Sequence, residues 1–299
     1  MKNKRLFKQL LGGFSSLLAA VVFLITFVES DQIPTWRDIF GIYETVDEEA
    51  DIISFIDVGQ GDCVLIQSNG RFALIDTGEG STNIARTFKR RGIKGFDAVI
   101  LSHWHSDHCE GFFDIVHSFE IENVIVSDKK PVDNDNDFPK QIINICENSD
   151  INLHEAEQGM VINVGEIELT VLYCNNDDKD ENNRSIIVMA DCKGEKFLFT
   201  GDAETRVEEK LIDMNLDFDC DVLKVGHHGS DTSSMQDFLK ICSPKYAVIS
   251  VGYDNSYGHP KKETLNNLYS VGAEIYRTDY DGNVDFNIND EGIVITTQY

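Results

Sequence analysis

The chain is 299 residues long with a hydrophobic fraction of 41%, enough for one large domain or two ordinary ones with a sizeable core. Acidic residues outnumber basic ones by 52 to 26, a formal charge of −26; so anionic a body repels a polyanion over about 8 Å in physiological salt, which argues against a processive nucleic-acid enzyme while leaving room for a local basic rim. The seven cysteines include no Cys-x-x-Cys pair, which argues against a zinc knuckle, and their odd number leaves at least one thiol unpaired in a monomer.

In chain order, Lys2, Lys4, Arg5 and Lys8 precede residues 10–28, an uncharged and largely apolar run of 19 residues. This is the pattern of an export signal, and its basic flank favours a cytoplasmic N-terminus. Residues 1–30 therefore read as a signal peptide or N-terminal membrane anchor. The expected form is an uncleaved helix carrying an extracytoplasmic body; a secreted product is the alternative, given the small-residue character of Val28-Glu29-Ser30. Residues 31–51, with Pro34 and Asp47-Glu48-Glu49, read as a linker.

From residue 52 to 299 the chain reads as one domain. Short apolar runs at 52–58, 64–67, 72–75, 98–101, 124–126, 167–172, 186–189, 197–199, 222–225 and 247–251 are expected strands. Helical periodicity marks 83–91 before Gly92, 203–214, and 261–271 between Pro260 and Gly272. Strands first clustered and then alternating with helices predict an α/β fold of two packed sheets flanked by helices, an αββα sandwich. The acidic stretches 133–137 and 175–183 lack the spacing of an EF-hand loop and read as solvated loops. Lys89-Arg90-Arg91 with Lys94, and Lys261-Lys262, are candidates for a basic rim, charged helix faces being the simpler account.

The densest chemistry lies in His103-Trp104-His105-Ser106-Asp107-His108, directly after an expected strand. Histidines at i and i+2 can converge on one divalent cation, while Asp107 and His108 can supply a second. Two further strands run into ligand types: 196–199 into Gly201-Asp202, and 222–225 into His227-His228. A carboxylate is a natural bridge, so Asp202 is expected to span both metals and His227 to complete the second site.

Together these residues resemble the signature of metallo-β-lactamase-fold hydrolases, a His-x-His-x-Asp-His loop followed by a distant Asp and a further His. Within that superfamily the chain is similar to the metal-hydrolase domain of ComEC-type DNA-uptake proteins and their stand-alone relatives, including secreted phosphorylcholine esterases. The likeness is carried by residues 55–62, 74–78, 224–230 and 250–260, and covers about residues 52–299. It implies the metallo-β-lactamase fold and two divalent ions, zinc or else manganese. Superfamily members commonly supply a third His to the first metal, yet residues 171–201 contain none. The corresponding Asn182-Asn183-Arg184-Ser185 is similar to the Asn/Ser segment of the ComEC-type branch, leaving His103, His105 and Asp202 on the first metal with an open position.

By the same resemblance His228, Ser230 and His259 lie on the substrate side, where an imidazole would hold a phosphoryl oxygen or protonate a leaving group; a structural role is the alternative for each. Asp57, Asp62 and Asp76 are expected to orient metal-binding imidazoles and loop amides, with Asn183 beside them. Asp107, besides ligating, is placed to orient the nucleophile. The expected function is an extracytoplasmic binuclear-metal phosphodiesterase, acting on nucleic acid, DNA included, or on an envelope phosphodiester. No obligate protein partner is evident. Alternatives are hydrolysis of a β-lactam, lactone or thioester on the same fold, and a non-catalytic membrane-tethered binding module.

Overall fold

A computed structural model describes residues 22, 47, 49–129 and 137–299. The apolar segment 10–28 apart from Val22, the linker up to residue 46 and the acidic residues 133–136 lie outside the described residues. Among those described, no helix is long and apolar enough to cross a membrane. Residues 47–85 and 94–299 form one compact unit. All the geometry of the functional residues belongs to that unit.

Along the chain, β1 (Asp51–Phe55), β2 (Val64–Ser68) and β3 (Arg71–Ile75) form an antiparallel meander. Helix α1 (Ile84–Arg90) leads to β4 (Gly95–Leu101), and the short helices α2 (Ser106–Cys109) and α3 (Phe112–Val116) to β5 (Glu120–Val126). Then come α4 (Phe138–Glu147), β6 (Asn152–Glu155), β7 (Val161–Val164), β8 (Ile167–Tyr173), β9 (Ile187–Cys192) and β10 (Glu195–Phe199). The remainder alternates: α5 (Thr205–Asp213), β11 (Val222–Lys224), α6 (Gln236–Cys242), β12 (Tyr246–Ile249), α7 (Lys262–Ser270) and β13 (Glu274–Arg277). Helix α8 (Thr278–Asp281) and the hairpin β14 (Val284–Asn289) and β15 (Gly292–Thr297) close the chain.

One sheet runs β15-β14-β1-β2-β3-β4-β5-β6, the other β13-β12-β11-β10-β9-β8-β7. Strands β3 to β6 are parallel, as are β10 to β13. The inner faces meet in one apolar core, with Ile53, Phe55, Ile66 and Ile100 from the first sheet against Leu169, Val188, Phe197 and Val248 from the second. On the outer face of the second sheet, Leu198, Leu223 and Ile249 pack under Val207 and Leu211 of α5, Phe238 of α6 and Leu268 of α7. Val207 and Leu211 are an i, i+4 pair, the apolar stripe that seats an amphipathic helix. The expected α/β sandwich is the observed architecture.

The ten apolar runs fall on β1 to β5 and β8 to β12, and the three helical segments on α1, α5 and α7. The run expected at 52–58 stops as a strand at Phe55, because Ile56 to Cys63 turns back through Gly59 and Gly61. The functional residues follow the C-terminal ends of β3, β4, β10, β11 and β12, where successive parallel strands point their loops to one rim.

Candidate metal centre

Beyond β4 the chain continues as Ser102-His103-Trp104-His105. Trp104 is buried, its indole donating to the Asp128 carbonyl at 3.0 Å and its amide to Glu181 Oε1 at 3.0 Å. With Trp104 anchored, the bend at His103 and Trp104 brings the rings of His103 and His105 together, 4.7 Å between centroids. His103 Nε2 lies 3.0 Å from His105 Nδ1, while its own Nδ1 faces Ser102 Oγ at 3.1 Å and Ser185 Oγ at 3.4 Å. Asp76, after β3, gathers three donors: the Ser102 amide and hydroxyl at 2.7 Å each, and His108 Nδ1 at 2.8 Å. That contact occupies Nδ1 of His108, so that a bound cation would meet this ring through Nε2.

Asp202 follows Gly201, whose φ is +52° and where a Cβ would come within 2.8 Å of Ser185 Oγ. The Asp202 amide donates to that same hydroxyl at 3.0 Å. After β11 the turn Gly226–Gly229 holds His227 (φ 48°) and His228 (φ 52°) in left-handed conformation, which sends consecutive imidazoles apart. His228 turns inward, with Nδ1 donating to the Ser250 carbonyl at 2.9 Å and Nε2 presented to the cluster. His227 turns outward, with Nδ1 3.2 Å from Thr232 Oγ1 and 3.5 Å from Glu204 Oε1.

Two groups of donor atoms result, each gathered within 4.8 Å: Asp62, His108, Asp202 and His228 in one, His103, His105 and Asp202 in the other. His108 Nε2 is 3.2 Å from Asp202 Oδ1, and His228 Nε2 is 3.4 Å from Asp202 Oδ2 and 3.3 Å from Asp107 Oδ2. His108 Nε2, His228 Nε2 and Asp202 Oδ1 are all buried without a hydrogen-bond partner. Three convergent, unpartnered polar atoms are costly to bury unless a cation satisfies them, and imidazole nitrogens with a carboxylate suit a divalent ion, which would displace any proton on the rings. Asp62 has a different face. Its Oδ2 accepts from Lys224 Nζ at 2.6 Å, and it approaches His228 and His108 on the Nδ1 side, at 3.3 and 3.7 Å. It therefore orients the imidazoles from behind, whereas Asp107 reaches the Nε2 side.

Charge follows the same geometry. Burial pulls the His108 and His228 imidazoles down, but the carboxylates around them, Asp202 foremost, outweigh it and hold both well above the usual histidine range. Burial opposes ionisation of Asp202 as well, yet His228 and His108 hold its carboxyl well below the ordinary range. Asp107, desolvated but facing the His228 imidazole at 3.3 Å, is brought down to about 2. Burial and the neighbouring His108 push His103 well down, so its ring is neutral. These carboxylates stabilise positive charge at the point where the orphaned donors meet.

Of the residues expected from sequence, His103, His105, His108 and Asp202 are brought together. His227 and His228 exchange the places given to them: His228 offers its nitrogen to the buried group, and His227 lies at the open side, its Nε2 3.8 Å from Asp202. Asp107 stands beside His228 but outside both donor groups. Asp57 is exposed, accepts from the Gly59 amide at 3.0 Å within its own turn and belongs to neither group. Ser230 accepts from the Thr232 amide at 3.2 Å, shaping the turn. Asn183 grips Glu204, accepting from its amide at 3.2 Å and donating to Oε2 at 3.4 Å. The ring of His259 is 5.8 Å from that of His227. Burial, with His227, His228 and Lys261 beyond it, brings His259 down to about 4. Cys109 is no ligand here, since its thiol donates to the His105 carbonyl at 3.0 Å and burial pushes it well up.

Sequence reasoning missed the roles of Lys224, Glu204, Ser102 and Ser250. Lys224 had a usable signal, a lysine inside an otherwise apolar strand, which demands a buried partner. The serines act through short local contacts that leave no pattern.

A centre of buried histidines and a shared aspartate, at the strand ends of an αββα sandwich, defines a class of metal-dependent hydrolases. Residues 56–165 match the sequence profile of the metallo-β-lactamase superfamily. It is similar to ComE operon protein 3 of Bacillus subtilis, 27% identical over 267 residues, which are 82% of this chain and 34% of that protein. It is also similar to competence protein ComA of Neisseria gonorrhoeae, 31% identical over 254 residues, covering 84% of this chain and 34% of that protein. The chain thus spans about a third of the length of these relatives. Among solved structures, the metallo-β-lactamase fold protein YhfI from Bacillus subtilis superposes with a TM-score of 0.54 at 14% identity, over 79% of this chain and 99% of that one, a likeness of fold.

Proposed function

We propose that this protein is an extracytoplasmic phosphodiesterase using two divalent ions, zinc or manganese, and acting on nucleic acid or an envelope phosphodiester. The observation that carries the reading is the convergence of His108 Nε2, His228 Nε2 and Asp202 Oδ1, buried and unpartnered, beside a second group that shares Asp202. Similarity to competence proteins and to recombination protein 2 of Haemophilus influenzae supports a nucleic-acid substrate. The absence of a histidine in residues 171–201, in likeness to that branch, favours it over β-lactam, lactone or thioester hydrolysis.

Divalent ions held by His103, His105, His108, Asp202 and His228 would supply Lewis acidity and neutralise charge developing on a phosphoryl oxygen. The chain's own residues do the positioning. Asp76 and the Ser250 carbonyl lock the tautomers of His108 and His228 so that Nε2 faces inward, and Ser102 and Ser185 do the same for His103. Asp202 contributes one oxygen towards His108 and the other towards His228. Asp107, ionised across the physiological range, is an acceptor that can orient the attacking water. His259, neutral above about 4, meets the substrate as an N–H donor, and a neutral ring there spares the centre a further positive charge.

The test is hydrolysis by the zinc- or manganese-loaded protein of bis-p-nitrophenyl phosphate, single-stranded DNA, a phosphocholine ester and a β-lactam. Turnover of a diester, nearly abolished by Asp202→Ala in a folded protein, is expected. Turnover of the β-lactam alone would overturn the reading. Protease accessibility in intact protoplasts tests the location, and protection from digestion would reject export.

A further inference from the structure

Beside the centre, the loop from Gly252 to Lys261 carries Tyr253 and Tyr257, which are 78% and 61% exposed. Scattered exposed aromatics need no explanation. Tyr257 differs, because its ring is stacked on that of His259, 5.7 Å between centroids and 28° between planes. His259 in turn lies ring to ring with His227, whose Nε2 is 3.8 Å from Asp202. Tyr257 is thus one ring beyond the open side of the centre, with its other face bare.

The loop is also held still. Asn255 donates to the carbonyls of Gly252 and His259 at 3.0 and 2.8 Å and accepts from the His259 amide at 3.0 Å. Gly252 donates to Gln60 Oε1 at 3.2 Å, and Lys261 Nζ donates to the Tyr257 carbonyl at 2.7 Å. Pro260 sits against Gly229 so closely that a Cβ there would come within 2.6 Å of its own, which ties the loop to the turn bearing His227 and His228. A fixed aromatic face loses little entropy on binding a second ring.

We propose that Tyr257 is a stacking platform for the nucleobase adjoining the scissile phosphate. This deepens the phosphodiesterase reading and rests on it. A single bare face suits a flat ring. A quaternary ammonium is instead recognised by several rings around one cation, and among the described residues Tyr257 packs against His259 and no second ring. The Lys261 ammonium, held at the Tyr257 backbone, repels such a cation and attracts a nucleotide's phosphate. Base stacking is tolerant of sequence because every base offers a π-face.

The test uses the whole chain, a fluorescein-labelled oligothymidylate, and an oligomer of equal length built from abasic spacers, so that the phosphates are the same. By fluorescence anisotropy the wild type should bind the base-bearing oligomer about 5- to 150-fold more tightly. Tyr257→Phe should keep most of that ratio and Tyr257→Ala should bring it close to one, with bound metal unchanged. A ratio near one in the wild type, or one that survives Tyr257→Ala, overturns the platform. So does Tyr257-dependent binding of phosphocholine without any Tyr257-dependent preference for bases. Hydrolysis, followed separately with bis-p-nitrophenyl phosphate and both oligomers, reports on the phosphodiesterase reading; its absence would remove that reading, and the binding ratio would still judge Tyr257.

Discussion

Replacing Lys224 by Met is expected to weaken both the fold and the centre. Lys224 is 2% exposed; its Nζ lies 2.6 Å from Asp62 Oδ2 and donates to the Val225 carbonyl at 2.8 Å. Removing one partner of a buried ion pair strands the other, typically at about 3–5 kcal/mol. Asp62 would keep two imidazoles nearby, His228 Nδ1 at 3.3 Å and His108 Nδ1 at 3.7 Å, which points to the lower end, about 3 kcal/mol. For a domain of this size that corresponds to a fall of about 6–12 °C in Tm. Calorimetry of the metal-free protein measures it. Because Asp62 also orients His228, zinc affinity should fall by about 10–100-fold. Pairing Lys224→Met with Asp62→Asn removes both charges and should recover much of the stability. A single variant within about 1 kcal/mol of the wild type, or a double variant no better than the single, would refute the reasoning.

Two further outcomes are expected. His228→Ala should lose bound metal while His227→Ala retains it, by elemental analysis after equal loading; equal loss would show that the outward ring also ligates. Glu208 on α5 accepts the amides of Ser234 and Met235 at the start of α6, and burial pushes its carboxyl up to about 7 from an ordinary 4.5. The folded state then holds the extra proton, so this contribution is complete below about 4.5 and is lost as pH rises towards 7, by roughly 3 kcal/mol. Glu208→Gln should flatten the stability profile across that window, and parallel curves for the two proteins would contradict the assignment.

The strands legible in the sequence were those with unbroken apolar runs, such as Val64 to Ile66 and Val99 to Leu101, buried on both faces. Strands β6, β7, β13, β14 and β15 were not, because they lie at or near the sheet edges, where polar residues interrupt the apolar runs. Asn152-Leu153-His154-Glu155 has no pattern to distinguish it from a loop. In the centre, the histidine loop and Asp202 were legible as residue types after expected strands. Which of two adjacent histidines faces inward was not, since that depends on φ rather than on identity. The orienting contact of Ser250 likewise arises from tertiary approach, as where Gly61 admits the Asp107 carbonyl to within 2.3 Å of a would-be Cβ.

The left-handed pair His227 and His228 also opposes durability to use. Each side-chain-bearing residue in that region costs roughly 1–2 kcal/mol, so the turn withholds about a quarter of the roughly 5–15 kcal/mol by which an ordinary domain stays folded. Glycine would relieve the strain at either position and has no imidazole to offer. Selection for thermal resistance alone would therefore be drawn to these two codons, and what it gained there would come out of activity.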